Sequence, residues 1–149
     1  MKQGDLAPDF ALLDQHNQEV RLSSLLANGP VVLFFYPVAL STGCTKETCH
    51  FRDLHGEFQA LGAQPIGISM DAVEKQSRFA LATGLNFPLL SDEDGATARA
   101  YGVKRGVGVL KVRRTTFVIG RDRRVLRVIN SEINMNKHAD EALAALSPQ

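Results

Sequence analysis

Residues 31–36 read Val-Val-Leu-Phe-Phe-Tyr, an unbroken apolar segment with Gly29-Pro30 before it and Pro37 after it. A strand that is buried on both faces of a parallel or mixed sheet has this composition, because neither face meets water. We therefore predict a central strand here. Functional crevices in such sheets lie at the carboxyl ends of the strands, and residues 37–44, which leave that end, finish on a cysteine.

The sequence around this strand alternates between strand and helix patterns. Residues 10–13 and 19–22 flank a polar turn and predict an N-terminal hairpin. Four apolar residues then recur at helical spacing after the cysteine: Phe51, Leu54, Phe58 and Leu61. That periodicity predicts one helix of about five turns, which begins near Gly43 and ends near Gly62.

The second half of the chain continues the alternation. Residues 64–70 predict a strand, and Asp71-Ala72-Val73-Glu74 has the Asp-x-x-Glu spacing of a capping box that begins a helix ending near Gly84. The remaining segments predict a strand at 87–90, a short helix at 92–101, a hairpin of 115–119 with 125–129, and a last helix with Ala139, Ala142, Leu143 and Leu146 on one face. This order predicts an α/β protein with one domain over residues 1–149. The expected architecture is a thioredoxin-like three-layer α/β/α sandwich with a mixed central sheet and an N-terminal hairpin.

The composition is that of an ordinary globular protein, with 44% hydrophobic and 22% charged residues. There are 17 basic and 16 acidic side chains, and the formal net charge of +1 favours neither a nucleic acid nor a membrane as partner. The longest apolar run, residues 31–40, is shorter than the ~18 residues of a spanning helix, and residues 1–5 lead into no signal core. We therefore expect a cytoplasmic protein.

Positive charge is concentrated in one stretch of the chain. Nine basic residues lie there: Lys104, Arg105, Lys111, Arg113, Arg114, Arg121, Arg123, Arg124 and Arg127. The only acid among them is Asp122. One hypothesis is a nucleic-acid surface, but the aromatic residues that stack on single-stranded bases are missing apart from Phe117. A solvated face is the simpler interpretation, and we expect no nucleic-acid partner.

Cys44 is the residue whose position is most informative. If the helix begins near Gly43, Cys44 lies in its first turn, where unpaired N–H groups and the positive end of the helix dipole favour a thiolate over a thiol. The alternative is a buried cysteine that acts only as a small apolar side chain. Its place at the end of the central strand favours the reactive interpretation, so we expect its sulfur to be uncovered.

The second cysteine, Cys49, follows five residues later. In an intact helix the two residues lie ~7.5 Å apart along the axis and ~140° apart around it. A disulfide needs Cα atoms within about 7 Å, so a bridge between Cys44 and Cys49 requires the first turns of the helix to unwind. The two thiols begin in different environments, which allows one to be a nucleophile and the other to react with its oxidised form.

Other site chemistries find less support. The two cysteines with His16, His50, His55 or His138 would supply four zinc ligands, but their spacing differs from Cys-x2-4-Cys and no second cysteine pair exists. The sequence has no thioredoxin-type Cys-x2-Cys, no nucleophile elbow and no nucleotide-binding glycine motif. We therefore expect neither a metal nor a cofactor.

Two segments carry a family resemblance. Residues 37–44, Pro-Val-Ala-Leu-Ser-Thr-Gly-Cys, resemble the peroxiredoxin signature Pro-x-x-x-Thr/Ser-x-x-Cys. Residues 43–53, Gly-Cys-Thr-Lys-Glu-Thr-Cys-His-Phe-Arg-Asp, resemble the bacterioferritin comigratory protein, or peroxiredoxin Q, branch of that family, in which a second cysteine follows five residues after the first. Further similar segments run through most of the chain: residues 7–10, 67–71, 87–92 and 114–119.

The resemblance implies a thiol-dependent peroxidase that reduces hydrogen peroxide and organic hydroperoxides. By that resemblance Cys44 is the peroxidatic nucleophile, the Ser41 hydroxyl contacts the thiolate and the peroxide, and Arg114 stabilises charge. Cys49 then resolves the Cys44 sulfenic acid as an intramolecular disulfide. Thioredoxin or glutaredoxin is the implied reductant, and the implied assembly is a monomer or weak dimer.

The implied substrate-binding residues are Pro37, Gly43 and Cys44. The chain departs from the family pattern at two places beside them. Ser41 stands where threonine is usual, which keeps the hydroxyl but loses the methyl group that restricts its rotamer. Residues 38–40, Val-Ala-Leu, stand where this branch commonly has polar residues, so we expect a less polar rim.

Two charged neighbours of the motif allow more than one interpretation. Only the resemblance selects Arg114 over Arg113, and strand alternation would then direct Arg113 to the opposite face. Glu47, three residues after Cys44, either orients Arg114 or is a solvated acid on the helix surface. An alternative function for the whole chain is a peroxide-sensing switch whose disulfide changes its docking to an acidic partner.

Overall fold

The computed structural model describes residues 1–105 and 112–146, so Lys111 of the basic stretch lies outside the described residues. Its strands are β1 (Ala11–Leu13), β2 (Glu19–Arg21), β3 (Val31–Phe35), β4 (Gln64–Ser69), β5 (Leu89–Ser91), β6 (Thr115–Ile119) and β7 (Val125–Asn130). Its helices are α1 (Leu22–Leu26), α2 (Thr42–Asp53), α3 (His55–Ala60), α4 (Val73–Thr83), α5 (Ala96–Ala100) and α6 (Met135–Leu146). None of these helices is long and apolar enough to cross a membrane.

The strands form one mixed sheet in the order β2-β1-β5-β4-β3-β6-β7. Strand β3 pairs in parallel with β4 and antiparallel with β6, and all five of its residues are buried. The N-terminal hairpin of β1 and β2 joins the sheet through an antiparallel contact of β1 with β5. The predicted central strand and both predicted hairpins are therefore confirmed.

Alternate residues of β3 enter two different cores. Leu33 and Phe35 pack in the core on one face of the sheet, whereas Val32 and Phe34 pack in the core on the other face. On that second face the rings of Phe34 and Phe51 stack with centroids 4.2 Å apart, which fixes α2 against the sheet. Because both faces are covered, the three-layer arrangement predicted from the sequence is confirmed.

The single helix predicted from Gly43 to Gly62 is wrong, because the chain forms two helices there. Leu54, at φ −94° and ψ 8°, ends α2 and precedes α3. The centroids of the Phe51 and Phe58 rings lie 5.8 Å apart, whereas seven residues of a straight helix rise ~10.5 Å. The break lets both rings enter one core, and Gly56 just beyond it has a low helix propensity.

The predicted capping box at 71–74 is also wrong, although the helix after it exists. Helix α4 has Ala72 as its N-cap without a side-chain hydrogen bond, and it ends at Gly84, whose φ of 65° is in the left-handed region. The Asp71 carboxylate is instead engaged by the Ala39 N–H at 2.7 Å and the Ser69 hydroxyl at 2.6 Å. A tertiary contact has displaced the local cap.

In the next segment, one strand and one helix begin later in the chain than predicted. The strand predicted at 87–90 is β5 at Leu89–Ser91, and the helix predicted at 92–101 is the shorter α5 at Ala96–Ala100. The Asp92 carboxylate accepts hydrogen bonds from the N–H groups of Thr97 and Ala98. It thus satisfies free donors of the helix from outside it, as a capping side chain does.

Candidate active site

The loop between β3 and α2 is held from the neighbouring strand. The Ala39 N–H donates to Asp71, which follows β4, and the Ser69 hydroxyl donates to the same carboxylate oxygen. The buried Gln76 amide donates to Ser69 and its carbonyl accepts from the Tyr36 hydroxyl. This connected set of hydrogen bonds fixes the path of residues 37–41 above the carboxyl end of β3.

Ser41 is the N-cap of α2. Its Oγ accepts a hydrogen bond from the Cys44 N–H at 3.3 Å and donates to the carbonyl of Val38 at 3.0 Å. The first of these bonds places Cys44 in the first turn of the helix, as the sequence predicted. The second directs the hydroxyl proton toward Val38, so a contact with the Cys44 sulfur requires the hydroxyl to rotate.

Cys44 and Arg114 meet in the layer between the sheet and α2. Nη2 of Arg114 donates to Sγ of Cys44 across 3.2 Å. Cys44 is 0% exposed, so the expectation of an uncovered sulfur is wrong. The sulfur lies in the apolar core that includes Phe34 and Phe51, with the guanidinium over it. A small molecule therefore reaches the sulfur only when covering side chains move.

Glu47 is buried beside Arg114, so the interpretation of Glu47 as a solvated acid on the helix surface is excluded. Its Oε1 accepts from Nη1 of Arg114 at 2.9 Å, and the side chain is 0% exposed. Burial raises the pKa of Glu47 to about 8, against the opposing effect of the Arg114 guanidinium. Burial works against the charged form of Arg114, but Glu47 and Cys44 together raise its pKa above its ordinary value.

Arg113 and Arg114 point in different directions. Arg113 is exposed, whereas Arg114 is buried beside Cys44. The backbone N–H of Arg114 donates to Glu132 Oε1 at 3.0 Å, and that oxygen also accepts from the Arg105 guanidinium at 2.8 Å. The backbone of Arg114 is thus fixed from the loop after β7 while its side chain turns inward.

Gly43 and Met135 lie next to the guanidinium. A Cβ atom on Gly43 would lie 3.3 Å from Nη2 of Arg114 and 3.5 Å from Sδ of Met135. A side chain at position 43 would therefore crowd Arg114 and Met135, which explains why this member of the predicted substrate-binding set is a glycine. Pro37, from the same set, is buried at the end of β3.

The apolar rim predicted at residues 38–40 exposes fewer apolar side chains than expected. Ala39 is 2% exposed and Val38 is half-buried, because the hydrogen bond to Asp71 draws this part of the loop inward. Leu40 is 42% exposed and has a φ of +68°. Leu40 is therefore the main apolar side chain that this segment presents to solvent.

Cys49 lies on the same intact helix as Cys44 but in different surroundings. Both cysteines are free thiols within α2, and Cys49 is only half-buried. Arg52, one turn later on α2, binds the carbonyl of Thr83 through its guanidinium. The predicted difference between the two thiol environments is confirmed.

Sequence reasoning missed some residues of this site. The local pattern at Asp71 indicates only a helix cap, His138 enters only as a candidate metal ligand, and no pattern singles out Met135 or Thr116. His138 is 0% exposed on α6, and its Nδ1 lies 2.8 Å from the Thr116 hydroxyl. A histidine on an otherwise apolar helix face is the signal that could have identified His138.

A thioredoxin-like sandwich with a buried cysteine, a guanidinium and a helix N-terminus at the end of its central strand defines a thiol-dependent redox protein of the peroxiredoxin class. The AhpC/TSA family model matches residues 3–128, and this chain belongs to that family.

Three relatives place the chain more narrowly. The crystal structure of peroxidoxin BcpB from Mycobacterium tuberculosis is 55% identical, with a TM-score of 0.94 over 98% of this chain and 96% of that one. Chloroplastic peroxiredoxin Q from Sedum lineare is 38% identical over 96% of this chain and 76% of its own length. The bacterioferritin comigratory protein of Xanthomonas campestris has a TM-score of 0.84 and 32% identity over 92% of this chain and 89% of that one. The resemblance stated from the motifs is therefore confirmed, and this homology supports thiol peroxidase activity.

Proposed function

We propose that this chain is a thioredoxin-dependent peroxidase in which Cys44 is the peroxidatic residue and Cys49 resolves it. The observation that carries the proposal is the 3.2 Å contact between Nη2 of Arg114 and Sγ of Cys44. A guanidinium in that position can donate to a charged sulfur and to the leaving oxygen of a peroxide.

In the first step the Cys44 thiolate attacks one peroxide oxygen. A sulfur–oxygen bond forms, the oxygen–oxygen bond breaks, and its electron pair leaves on the second oxygen, which takes a proton and departs as water or an alcohol. Charge accumulates on the leaving oxygen, so donors already in position lower the barrier. The Arg114 guanidinium and the rotated Ser41 hydroxyl are those donors. Cys44 is left as a sulfenic acid.

In the second step the Cys49 sulfur attacks the sulfenic sulfur of Cys44. A disulfide forms, the sulfur–oxygen bond breaks, and the oxygen leaves as water after taking a proton. Both residues lie within α2, where their separation is too large for this bond. The first turns of α2 therefore unwind in each catalytic cycle. Ser41 satisfies one of the unpaired N–H groups of this first turn, and the ends of helices open more readily than their interiors.

An external dithiol then reduces the disulfide, and we assign this role to thioredoxin, with glutaredoxin as the competing reductant. Cys49 is only half-buried in the reduced protein. Unwinding of α2 therefore makes the Cys44–Cys49 bond accessible to the external dithiol. The reduced pair refolds into α2 and returns Cys44 to Arg114.

Organic hydroperoxides are the substrate class that the rim favours. Leu40 is exposed beside the loop, and the thioether of Met135 lies next to Gly43. Alkyl peroxide reduction activity is described for the bacterioferritin comigratory protein of Xanthomonas campestris. The apolar groups around the approach to Cys44 suit an alkyl chain on the peroxide.

One set of proteins tests the chemistry. The wild type, Cys44→Ser and Cys49→Ser are each treated with one equivalent of cumene hydroperoxide and examined by mass spectrometry, with dimedone to trap sulfenic acid. We expect an intramolecular disulfide in the wild type, a dimedone adduct on Cys44 in Cys49→Ser, and no reaction in Cys44→Ser. An adduct on Cys49 in the absence of Cys44 would overturn the role assignment.

Turnover separates an enzyme from a switch. With excess hydroperoxide, a catalyst consumes many equivalents per chain when thioredoxin, thioredoxin reductase and NADPH are supplied, whereas a peroxide sensor consumes about one. A parallel assay with glutathione and glutaredoxin identifies the reductant. Turnover only in the second assay would contradict the choice of thioredoxin.

A further inference from the structure

A buried carboxylate oxygen next to the site has no hydrogen-bond partner among residues 1–105 and 112–146. Glu47 is completely buried, and its Oε1 accepts from Arg114, but no described residue forms a hydrogen bond with its Oε2. Nδ1 of His138 lies 3.5 Å from Oε2, and His138 is also 0% exposed. A buried carboxylate oxygen without a hydrogen bond is destabilising in its ionised form.

The partners of His138 limit where its protons lie. Its Nε2 is 2.9 Å from the carbonyl of Ser131, which only accepts, so Nε2 carries a proton. Its Nδ1 then faces two oxygen atoms, the Thr116 hydroxyl at 2.8 Å and Oε2 of Glu47. If the ring is neutral and Glu47 ionised, the Thr116 hydroxyl donates to Nδ1, and the ionised Oε2 of Glu47 is left without a hydrogen bond from any described residue. One additional proton, on Nδ1 or on Oε2, removes this uncompensated charge, since the two atoms lie 3.5 Å apart.

We propose that His138 is a positioning residue of the reaction, whose Nδ1 and the Oε2 of Glu47 hold one proton between them and so leave the charge of Arg114 to Cys44. The inference rests on the proposed peroxidase function of Cys44. With that proton in place, the Glu47–His138 pair has no net charge, and the thiolate or the leaving oxygen is the main partner of the guanidinium. Without it, the Glu47 carboxylate competes for the same guanidinium.

The other charged groups around the pair do not remove the need for the proton. Among the described residues they are Arg114 before β6, Glu132 in the loop after β7, and Glu141 on α6. Glu132 is bound to Arg105, and Glu141 is bound to Arg127 and Lys137. Burial raises the pKa of Glu47 to about 8 and lowers the pKa of His138, which agrees with a proton that stays within the pair at neutral pH.

The spectroscopic test uses the reduced, full-length wild type. Proteins labelled with ¹³C at the glutamate carboxyl and ¹⁵N in the histidine ring are titrated by NMR from about pH 4 to pH 10. We expect the Glu47 carboxyl and the His138 ring to change together in one alkaline step near pH 8. A Glu47 carboxyl that titrates in the ordinary acidic range, with no alkaline change at His138, would overturn the proposal.

Two variants test whether the alkaline NMR step belongs to Glu47 and His138. Glu47→Gln keeps an oxygen for Arg114 and offers an amide N–H to Nδ1, so it imitates the protonated carboxyl without a proton to lose. We expect the alkaline step at His138 to disappear in Glu47→Gln and to persist in Cys44→Ser. A step that survives in Glu47→Gln, or vanishes in Cys44→Ser, would contradict the assignment. These readouts need no peroxidase activity, so they remain decisive if the proposed function fails.

The kinetic consequence is measured by stopped flow. The wild-type rate constant for the reaction with hydroperoxide should fall roughly tenfold as the pair loses its proton, since a shared donor is weakened and a lost one costs about 10²–10³-fold. The same pH profile for Glu47→Gln should lack this alkaline fall. Parallel alkaline falls in both proteins would show that the pair does not act on Cys44.

Discussion

Nη2 of Arg114 lies 3.2 Å from Sγ of Cys44, although 70 residues separate the two in sequence. The same guanidinium binds Glu47, which lies one turn of α2 after the cysteine. Arg114 thus bridges two residues of one helix from the edge of β6. This contact joins the sheet to the helix that carries both cysteines.

The bridging geometry predicts that Arg114→Lys is more damaging than its unchanged charge suggests. A lysine ammonium is a point charge and does not bind Cys44 and Glu47 through two separate nitrogens in a fixed plane. We expect kcat/KM for hydroperoxide to fall about 100-fold, the range for loss of one donor to a developing oxyanion. Arg113→Lys is the matched control, and its exposed side chain should give a change of less than about twofold. Equal losses in the two variants would refute the assignment of Arg114.

Ser41 caps α2 and is also a proposed catalytic donor, and two substitutions separate the two roles. Ser41→Ala removes the acceptor for the Cys44 N–H, so urea unfolding should show a loss of about 1 kcal/mol together with slower peroxide reduction. Ser41→Thr keeps the hydroxyl and should retain both properties. If Ser41→Ala lost stability but kept its full rate constant with hydroperoxide, the hydroxyl would be a cap and nothing more.

Glu47 makes the stability of the fold depend on pH. Its pKa is raised from 4.5 to about 8 by burial, so the folded state holds a proton that the unfolded state has released within that range. Its stabilising contribution is complete below pH 4.5 and is lost as the pH rises to about 8. Burial lowers the pKa of His138 below 6.5, so that residue has the opposite effect only on the acidic side of 6.5.

A measurement above pH 6.5 separates the effect of Glu47 from that of His138. Urea unfolding of the reduced protein between pH 6.5 and 8 should show the free energy of unfolding decreasing with pH. The decrease should be smaller in Glu47→Gln, which has no proton to release. A difference between the two proteins that stays constant across this window would show that Glu47 is ionised throughout it.

Disulfide formation should unwind the start of α2. Hydrogen exchange followed by mass spectrometry should show faster exchange of peptides from residues 42–53 in the oxidised wild type than in the reduced protein, while peptides from β3 remain protected. Cys49→Ser treated with the same peroxide is the control, and its α2 should keep the protection of the reduced form. Unchanged exchange in the oxidised wild type would mean that the bridge does not form within this helix.

Patterns close in sequence were enough to predict much of the fold. Residues 31–36 predict a strand buried on both faces, because each residue of β3 is apolar whichever face it enters. The helix boundaries were less predictable. Leu54 ends α2 although it belongs to the periodic apolar pattern, since the break brings the rings of Phe51 and Phe58 closer together in one core, and Asp71 accepts from the Ala39 N–H of a loop instead of capping α4. Both outcomes depend on neighbours that no local window contains.

The sequence by itself determined the class of fold and the two cysteines five residues apart at the end of the central strand, since strand composition, helix periodicity and covalent spacing are local properties. Tertiary structure alone decided that the Cys44 sulfur is covered, that Glu47 is buried against Arg114, and that Glu47 meets His138 from another helix. Each of these outcomes depends on residues that are far apart in the sequence. They follow from which side chains the packed sheet and helices exclude from water, and burial together with the charged neighbours then shifts the pKa values of Glu47, Arg114 and His138.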